Sequence, residues 1–345
     1  MSSHQQGRTD AVTISPSQED MMGVVVGIDI AKHTFDIATL QANGKYRTKA
    51  KLGNDQGGFE VLQQWLSKYA EPQAWVVMEA TGIYHEALAQ WLYERGYKVC
   101  VLNPSQTARY ASSQLQRVKT DKVGAKMIAE YGRRHQDKLR AWEPEKPKIR
   151  RLRALTHRLK DLQELEQMEQ NRLDVTHDDK AIELIQSMLK HIRQQIQDTL
   201  AAIEKHFDDN DDLKGQRNLL KSIDGIADRT AGLLLAELGD IQRFEDSRAV
   251  TAFAGLNPKL QDSGTLKGHV RISRMGSARL RAGLYLPAVV SLTYNPAIRA
   301  LAERMRSAGK AGKQIVCAAM RKLLCIAYGV LKSGEPFDPK LAIAK

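Results

Sequence analysis

Glycine and proline are missing from one long stretch of the chain, and this stretch constrains the fold more than any other feature. The 345-residue sequence has no glycine between Gly132 and Gly215, and after Pro147 it has no proline there either. Leucine and isoleucine recur every three or four residues over Leu152–Leu165 and, after a polar break, over Ile182–Ile203. This spacing predicts two long helices that pack antiparallel or as a coiled coil. A structural spacer and a self-association arm both fit the pattern.

The segment before these helices alternates between strand and helix patterns. Val24–Ile30 (VVVGIDI) is a β-branched apolar run typical of a buried strand, and Asn43-Gly44 favours a tight hairpin turn. Strands are predicted over 24–30, 34–40, 45–52, 74–79 and 97–102, and helices over 57–69, 85–95 and 121–134. This order predicts an α/β sandwich in which a hairpin sheet is extended by parallel crossovers.

The segment after Gly215 is predicted to be mainly helical and carries most of the net charge. The whole chain has a formal charge of +12, and Lys259–Lys322 holds 13 Lys and Arg against two acids, a local net of +11. Such an excess is typical of surfaces that bind the phosphates of nucleic acids. The candidate nucleic-acid-binding residues are Lys267, Arg271, Arg274, Arg279 and Arg281.

Three carboxylate residues lie at the predicted ends of strands or at the start of a helix. Asp29 and Glu79 close two strands, and Asp121 opens a helix after a basic run. Clustered carboxylates repel one another, and Mg²⁺, which prefers oxygen ligands and assists displacement at phosphorus, relieves that repulsion. Taken singly, each acid also has a structural explanation, such as the helix N-cap for Asp121.

A serine lies in a basic, glycine-containing loop. Asp262-Ser263-Gly264 precedes several arginines, whose guanidinium groups can stabilise the charge that develops when a hydroxyl attacks a phosphodiester. A Ser-Gly pair is also a common turn. Upstream, Leu220–Leu238 partly matches a helix-hairpin-helix that holds a DNA phosphate, and a simple packing hairpin fits it equally well.

Several motifs together resemble the transposases of the insertion-sequence one-ten family. The resemblance extends in order from Gly23 to Asp338. Its motifs are GIDIAKHTFDI (Gly27–Ile37), MEATGIY (Met78–Tyr84), LNP (Leu102–Pro104), KTDKVGA (Lys119–Ala125), FAGLNP (Phe253–Pro258), DSG (Asp262–Gly264) and AYGVLKSGEPFD (Ala327–Asp338).

The resemblance implies a recombinase with an RNase H-like (RuvC-like) domain that carries four acids, a coiled-coil arm and a C-terminal transposase domain with a nucleophilic serine. Asp29, Glu79 and Asp121 match the first three acids and Ser263 matches the nucleophile. The implied cofactor is Mg²⁺, with Mn²⁺ able to substitute. The implied partners are a guide (bridge) RNA, target and donor DNA, and further copies of the chain in a tetramer.

One position departs from the family motif KTDxxDA. Gly124 replaces the fourth acid, three residues after Asp121 on the same predicted helix face. Either this chain works with three acids or its metal chemistry and activity are reduced. Gly124→Asp is expected to restore a ligand.

The predicted organisation is a disordered leader (1–22), a RuvC-like domain (23–136), coiled-coil helices (137–214) and a C-terminal serine transposase domain (215–345). Three cysteines without metal-binding spacing fit a reducing cytosol, and the sequence contains no run of 18 apolar residues that would predict a membrane span. The family resemblance implies a bacterial cytoplasm, with association to the nucleoid during the reaction. Two rival functions remain open. One is a RuvC-type junction endonuclease that uses water, and the other is a catalytically silent nucleic-acid-binding protein.

Overall fold

The computed structural model describes residues 23–70, 73–113, 121–259, 262–263, 266–267 and 271–340, with side chains left out at 121–123, 259, 262–263, 266–267 and 271. The predicted leader lies outside the described residues. The chain is divided into two compact units, the first ending at Pro144 and the second beginning at Glu145. The finer domain boundaries expected from the sequence stay a prediction.

The first unit is a mixed α/β domain built on a five-stranded sheet. Its strands are β1 (Val25–Ile30), β2 (Thr34–Leu40), β3 (Tyr46–Gly53), β4 (Trp75–Glu79) and β5 (Lys98–Leu102). Its helices are α1 (Gln56–Tyr69), α2 (Glu86–Glu94), α3 (Pro104–Ser113) and α4 (Asp121–Arg134), followed by a 3₁₀ turn at Gln136–Lys138. The sheet order is β3-β2-β1-β4-β5.

The strand pairing confirms the predicted hairpin sheet with parallel crossovers. β1 pairs antiparallel with β2 and parallel with β4, while β4 pairs parallel with β5. The helix α3 lies outside the predicted helices. It begins at Pro104, and proline is well suited to the first position of a helix.

The two faces of the sheet bury different side chains because residues alternate along each strand. Val26 and Ile28 belong to the larger cluster, together with Leu62 of α1 and Leu88 of α2. Val25 faces the other way and packs with Val77, Cys100, Leu102 and Ile128 of α4 in a smaller cluster. Asp29 alternates in the same way and therefore points to the α4 face.

Gly27 lets α4 lie directly on β1. A Cβ added at Gly27 would stand 2.3 Å from both the Ala125 carbonyl oxygen and the Ala129 backbone nitrogen. These are backbone atoms of the helix, so no side-chain rotation could relieve the clash. The approach of α4 to the central strand therefore requires glycine at this position.

The second unit is helical. Its helices are α5 (Pro147–Leu173), α6 (Asp179–Asp208), α7 (Asp211–Lys221), α8 (Asp228–Leu238), α9 (Ser247–Phe253), α10 (Ala278–Tyr294), α11 (Pro296–Ser307) and α12 (Gly312–Ser333), with a 3₁₀ turn at Ile241–Arg243. Four two-residue strands lie between α9 and α10: β6 (Pro258–Lys259), β7 (Asp262–Ser263), β8 (Leu266–Lys267) and β9 (Arg271–Ile272).

The two long helices form an antiparallel hairpin. Arg193 Nε of α6 donates to Glu166 Oε1 of α5 at 2.8 Å, and His206 Nε2 lies 2.8 Å from the Lys148 carbonyl oxygen near the other end. Ile192 is buried in the core of the second unit, where it packs with residues of α5. The antiparallel alternative is therefore correct, and coiled-coil packing stays a prediction.

One helix of the described chain, α12, is long and apolar enough to cross a membrane by length and composition alone. Its residues Ile315, Leu323, Leu324 and Ala327 are buried in the helical core of the second unit. Packing within the protein therefore accounts for its composition.

Replacing Gly27 with alanine is expected to lower the free energy of unfolding of the first unit by about 3 kcal/mol, because a methyl group there must push α4 off the sheet. All four tryptophans lie in this unit, at Trp65, Trp75, Trp91 and Trp142, so their fluorescence during urea unfolding measures it selectively.

Gly57→Ala is the matched control for this test. Gly57 lies in the first turn of α1, where an added Cβ meets only Asp55 Oδ1 at 3.5 Å. It should leave stability unchanged or raise it by up to about 1 kcal/mol. Equal stabilities of the two variants would show that the α4 contact tolerates a Cβ.

Candidate functional site

Two of the three predicted acids are neighbours at one edge of the sheet. Ile28 of β1 pairs with Met78 of β4, so the next residues along these parallel strands, Asp29 and Glu79, stand side by side on the α4 face. Both side chains are partly exposed. The structure thus brings together the two strand carboxylates that the sequence selected.

The position of the missing fourth acid lies against Asp29. A Cβ added at Gly124 in the first turn of α4 would stand 1.9 Å from Asp29 Oδ2 and 2.8 Å from Asp29 Cγ. Position 124 therefore faces the Asp29 carboxylate. In this chain, however, the Asp29 carboxylate fills the space that a side chain at 124 would need.

The third acid, Asp121, is the first residue of α4, and its side chain lies outside the described set. Among the described side chains, no group of three His, Cys, Asp or Glu residues could hold a metal ion. Asp29 and Glu79 supply only oxygen donors, which suits a hard divalent cation. The residues present therefore fit such an ion when the Asp121 carboxylate completes the set.

Asp36 is a further carboxylate that the sequence analysis did not select. It stands directly opposite Asp29 in the β1–β2 pair, on the same face of the sheet, and it is 8% exposed. Its Oδ1 accepts a hydrogen bond of 2.7 Å from the Lys51 backbone nitrogen, where β3 bulges. Two carboxylates directly opposite each other repel, and a cation bound between them would reduce that repulsion.

Thr107 is the other contact that the sequence did not reveal. Its Oγ1 lies 2.6 Å from Glu79 Oε2, and the residue is only 2% exposed. It belongs to α3, a helix that was not predicted although Asn103-Pro104 is a sequence signal for a helix start. Its proximity to Glu79 depends on the tertiary fold.

Ser263 lies in a short two-stranded ribbon rather than in the predicted loop. β6 pairs antiparallel with β9, and β7 pairs antiparallel with β8, where Ser263 stands opposite Leu266. The side chains of Ser263, Lys267 and Arg271, and the whole of Gly264, lie outside the described residues.

The base of the ribbon is fixed by backbone contacts. Ser277 N donates to the Phe253 carbonyl at 2.8 Å and Ser273 N donates to the Asn257 carbonyl at 2.8 Å. Arg281 Nη1 donates to the Ala254 carbonyl at 2.9 Å and also lies 3.1 Å from the Gly276 carbonyl. Arg281 thus stabilises the ribbon base, whereas the nearby Arg274 and Arg279 are exposed.

The partial helix-hairpin-helix packs against α10. The carbonyl oxygen of Asp224 accepts hydrogen bonds from Ser291 Oγ at 3.1 Å and from Asn295 Nδ2 at 3.2 Å. Both donors are fully buried. These contacts favour the packing interpretation of this hairpin.

An α/β domain with carboxylates on two neighbouring parallel strands, followed by a basic helical domain, is an arrangement suited to enzymes that cut or join nucleic-acid strands. Comparison with known families narrows this class. The DEDD transposase model of IS110 matches residues 26–180, and a model described as transposase IS116/IS110/IS902 family matches residues 217–303. The chain belongs to the IS110 family of transposases, the family that its motifs resemble.

Relatives agree with this assignment along most of the chain. The pilin gene-inverting protein of Moraxella bovis is 32% identical over 333 residues, which cover 93% of this chain and 99% of that protein. An insertion element IS900 protein of Mycobacterium paratuberculosis is 32% identical over 114 residues, covering 33% of this chain and 29% of that protein. The chain is thus an enzyme of the transposase and site-specific recombinase class, and its DEDD domain indicates dependence on a divalent metal.

Comparing Gly124→Ala with Gly124→Asp separates the two consequences of a side chain at this position. Both variants add a Cβ that must displace the Asp29 carboxylate, and only aspartate adds an oxygen ligand. We expect alanine to lower metal-dependent recombination by about tenfold or more and aspartate to be clearly more active than alanine. A titration of the rate with divalent metal measures both.

Asp121→Ala is the reference for loss of a ligand in this titration. Equal rates for the alanine and aspartate variants at every metal concentration would mean that position 124 does not face the metal.

Proposed function

We propose that this protein is an RNA-guided DNA recombinase of an insertion sequence that acts in the bacterial cytoplasm, associated with the nucleoid. Ser263 is the nucleophile, and Asp29, Glu79 and Asp121 hold Mg²⁺. The observation that carries the proposal is the placement of Asp29 and Glu79 side by side on the α4 face, with α4 beginning at Asp121.

The acidic residues have distinct tasks in this proposal. Bound at these carboxylates, Mg²⁺, or Mn²⁺ in its place, would supply positive charge against the scissile phosphate. Asp29 and Glu79 are held by the sheet, whose strands are fixed by pairing on both sides. Asp121 comes from α4, which Gly27 holds against β1. A rigid frame of this kind reduces the reorganisation needed during the reaction.

The serine step exchanges one phosphate ester for another. The Ser263 oxygen forms a bond to phosphorus, the bond from phosphorus to the leaving-strand oxygen breaks, the serine proton passes to solvent or a base, and the leaving oxygen is protonated. The phosphoserine link keeps the energy of the broken ester, so a second strand can reverse the step and become joined. The ribbon supports this role because its base is tied to α9 and α10 by hydrogen bonds.

Nucleic acid is bound by the basic C-terminal segment. We assign phosphate contacts with target DNA, donor DNA or guide RNA to Lys267, Arg271, Arg274, Arg279 and Arg281. Arg274 and Arg279 are exposed, which supports their part in this set. Arg281 has a structural task at the ribbon base as well, so its replacement would disturb more than binding.

The arm formed by α5 and α6 joins copies of the chain into an oligomer, which we propose to be a tetramer with coiled-coil contacts. Its inner residues pack within one chain, but Leu165, Met168, Leu184 and Met188 are 39%, 47%, 60% and 51% exposed. Apolar side chains on the outside of a helical hairpin are typical of surfaces that pack against another helix.

Ser263→Ala should abolish strand exchange and the covalent protein–DNA product while leaving DNA and RNA binding unchanged, because it removes an oxygen but no charge. The assay traps protein on labelled cognate DNA under denaturing conditions. Ser273→Ala, at the base of the same ribbon, is the matched control and should still form the product.

The rival functions give different results in this assay. Cleavage without a covalent product, unaffected by Ser263→Ala, would identify a nuclease that uses water. Binding without any cleavage, in the wild type and in Gly124→Asp alike, would identify a silent nucleic-acid-binding protein. Exchange that proceeds equally well without RNA from the element would remove the guide from the proposal.

DNA inversion is a second candidate reaction, since relatives bearing the name pilin gene-inverting protein align along 99% of their length. The same strand exchange inverts a segment when two sites lie in opposite orientation on one DNA. A substrate with two such sites distinguishes inversion from transposition by the size of its products.

Replacing Leu184 and Met188 together with aspartate should lower the mass of the oligomer in solution, because charges on that face oppose apolar packing. Light scattering after size exclusion measures the mass. The control pair, Gln186→Asp with Lys190→Asp, adds acidic residues to exposed positions on another face of α6 and should leave the mass unchanged. An unchanged mass in both folded variants would make the arm a spacer.

A further inference from the structure

The Glu79 carboxylate accepts a hydrogen bond from Thr107, a residue of α3, the helix that follows β5. β4 ends at Glu79 and β5 ends at Leu102, and the Ala80 backbone nitrogen donates to the Leu102 carbonyl at 2.9 Å. This bond fixes the two strand ends relative to each other. The chain leaving β5 then turns into α3 and brings Thr107 against Glu79.

The start of α3 is capped by two side chains. Asn103 Oδ1 accepts from the Ser105 backbone nitrogen at 2.9 Å, and Gln106 Oε1 accepts from the Asn103 backbone nitrogen at 3.2 Å. Pro104 occupies the first helical position. These contacts fix the first turn, so Thr107 is presented to Glu79 by a segment whose geometry is already determined.

The hydroxyl of Thr107 has one proton and two acceptors within reach. Glu79 Oε2 is 2.6 Å away and the Pro104 carbonyl oxygen is 2.9 Å away. The shorter distance is that of a charge-assisted hydrogen bond from a hydroxyl to a carboxylate, which is about twice as strong as a neutral one. The proton therefore belongs with Glu79. Thr107 itself is only 2% exposed, so its hydroxyl is held in place by the surrounding protein.

We propose that Thr107 is a positioning residue for the metal site. It holds Glu79 Oε2, fixes the rotation of the carboxylate, and leaves Oε1 to coordinate the ion. This inference rests on the proposed metal site. It gives the LNP motif a role, since Asn103 and Pro104 begin the helix that carries Thr107. Groups that orient metal ligands typically change metal affinity by about 10- to 100-fold when they are replaced.

The test measures Mn²⁺ binding directly by electron paramagnetic resonance of the free ion, independently of activity, in the full-length protein. Thr107→Val keeps the shape and burial of the side chain and removes the hydroxyl, and it should weaken Mn²⁺ binding by about tenfold or more. Thr107→Ser keeps the hydroxyl and should remain within about threefold of wild type. Recombination by Thr107→Val should recover when the metal concentration is raised.

Two further variants make the outcomes distinct. Glu79→Gln tests the metal site itself, and Thr39→Val removes another buried hydroxyl of the same domain, one bonded to the Val25 carbonyl at 3.0 Å. If Glu79→Gln leaves Mn²⁺ binding unchanged, the proposed metal site is wrong. If Glu79→Gln weakens binding while Thr107→Val does not, only the role of Thr107 is overturned. Equal loss in Thr107→Val and Thr39→Val would make the effect one of general stability.

Discussion

The contact between α4 and β1 at Gly27 is the constraint on which the acidic site depends. A helix can lie with its backbone against the backbone of a strand only where the strand has no side chain, and Gly27 provides that place beneath Ala125 and Ala129. Two residues further along the same strand face, Asp29 emerges next to the first turn of the helix. The distance from the carboxylate to α4 is thus fixed by the packing of the core and not by the acids themselves.

The other end of the same helix is anchored to the edge strand. Tyr46 of β3 donates to Glu130 Oε2 at 2.9 Å, and Arg134 Nε donates to Glu130 Oε1 at 2.6 Å. Burial alone would raise the pKa of Glu130, but the hydrogen bonds from Arg134 and Tyr46 outweigh it and the pKa is lowered. The carboxylate therefore stays ionised and keeps its hydrogen bonds to Tyr46 and Arg134, which tie this end of α4 to the edge strand. A helix held at both ends can present ligands with little freedom to move.

How far the sequence predicts this structure differs between the two units. The five strands, the hairpin with parallel crossovers and the span of α4 follow from local patterns, because buried parallel strands are continuous apolar runs and their ends are marked by charge. The positions of Thr107 and Asp36 depend on which elements become neighbours in space. The ribbon that carries Ser263 was predicted to be a loop, because strands of two residues show no alternation of apolar and polar residues. Its base is held by hydrogen bonds to backbone carbonyls, such as that from Arg281 to Ala254, which no sequence pattern reveals.

The charge distribution gives a physical reason for dividing the work between two units. Lys259–Lys322 carries +11 of the total +12, so the remainder of the chain has a summed charge of only +1. Carboxylates repel phosphates, so if these acids act on DNA, as proposed, the affinity for DNA has to come from another part of the protein. Glycine at position 124 reduces that repulsion. With two positive charges on a divalent ion, three carboxylates leave less net negative charge at the scissile phosphate than four would. Under the proposed function, glycine at 124 would weaken the hold on the metal and ease the approach of DNA. Asp29 would take part in both effects, because its carboxylate lies where a side chain at 124 would be.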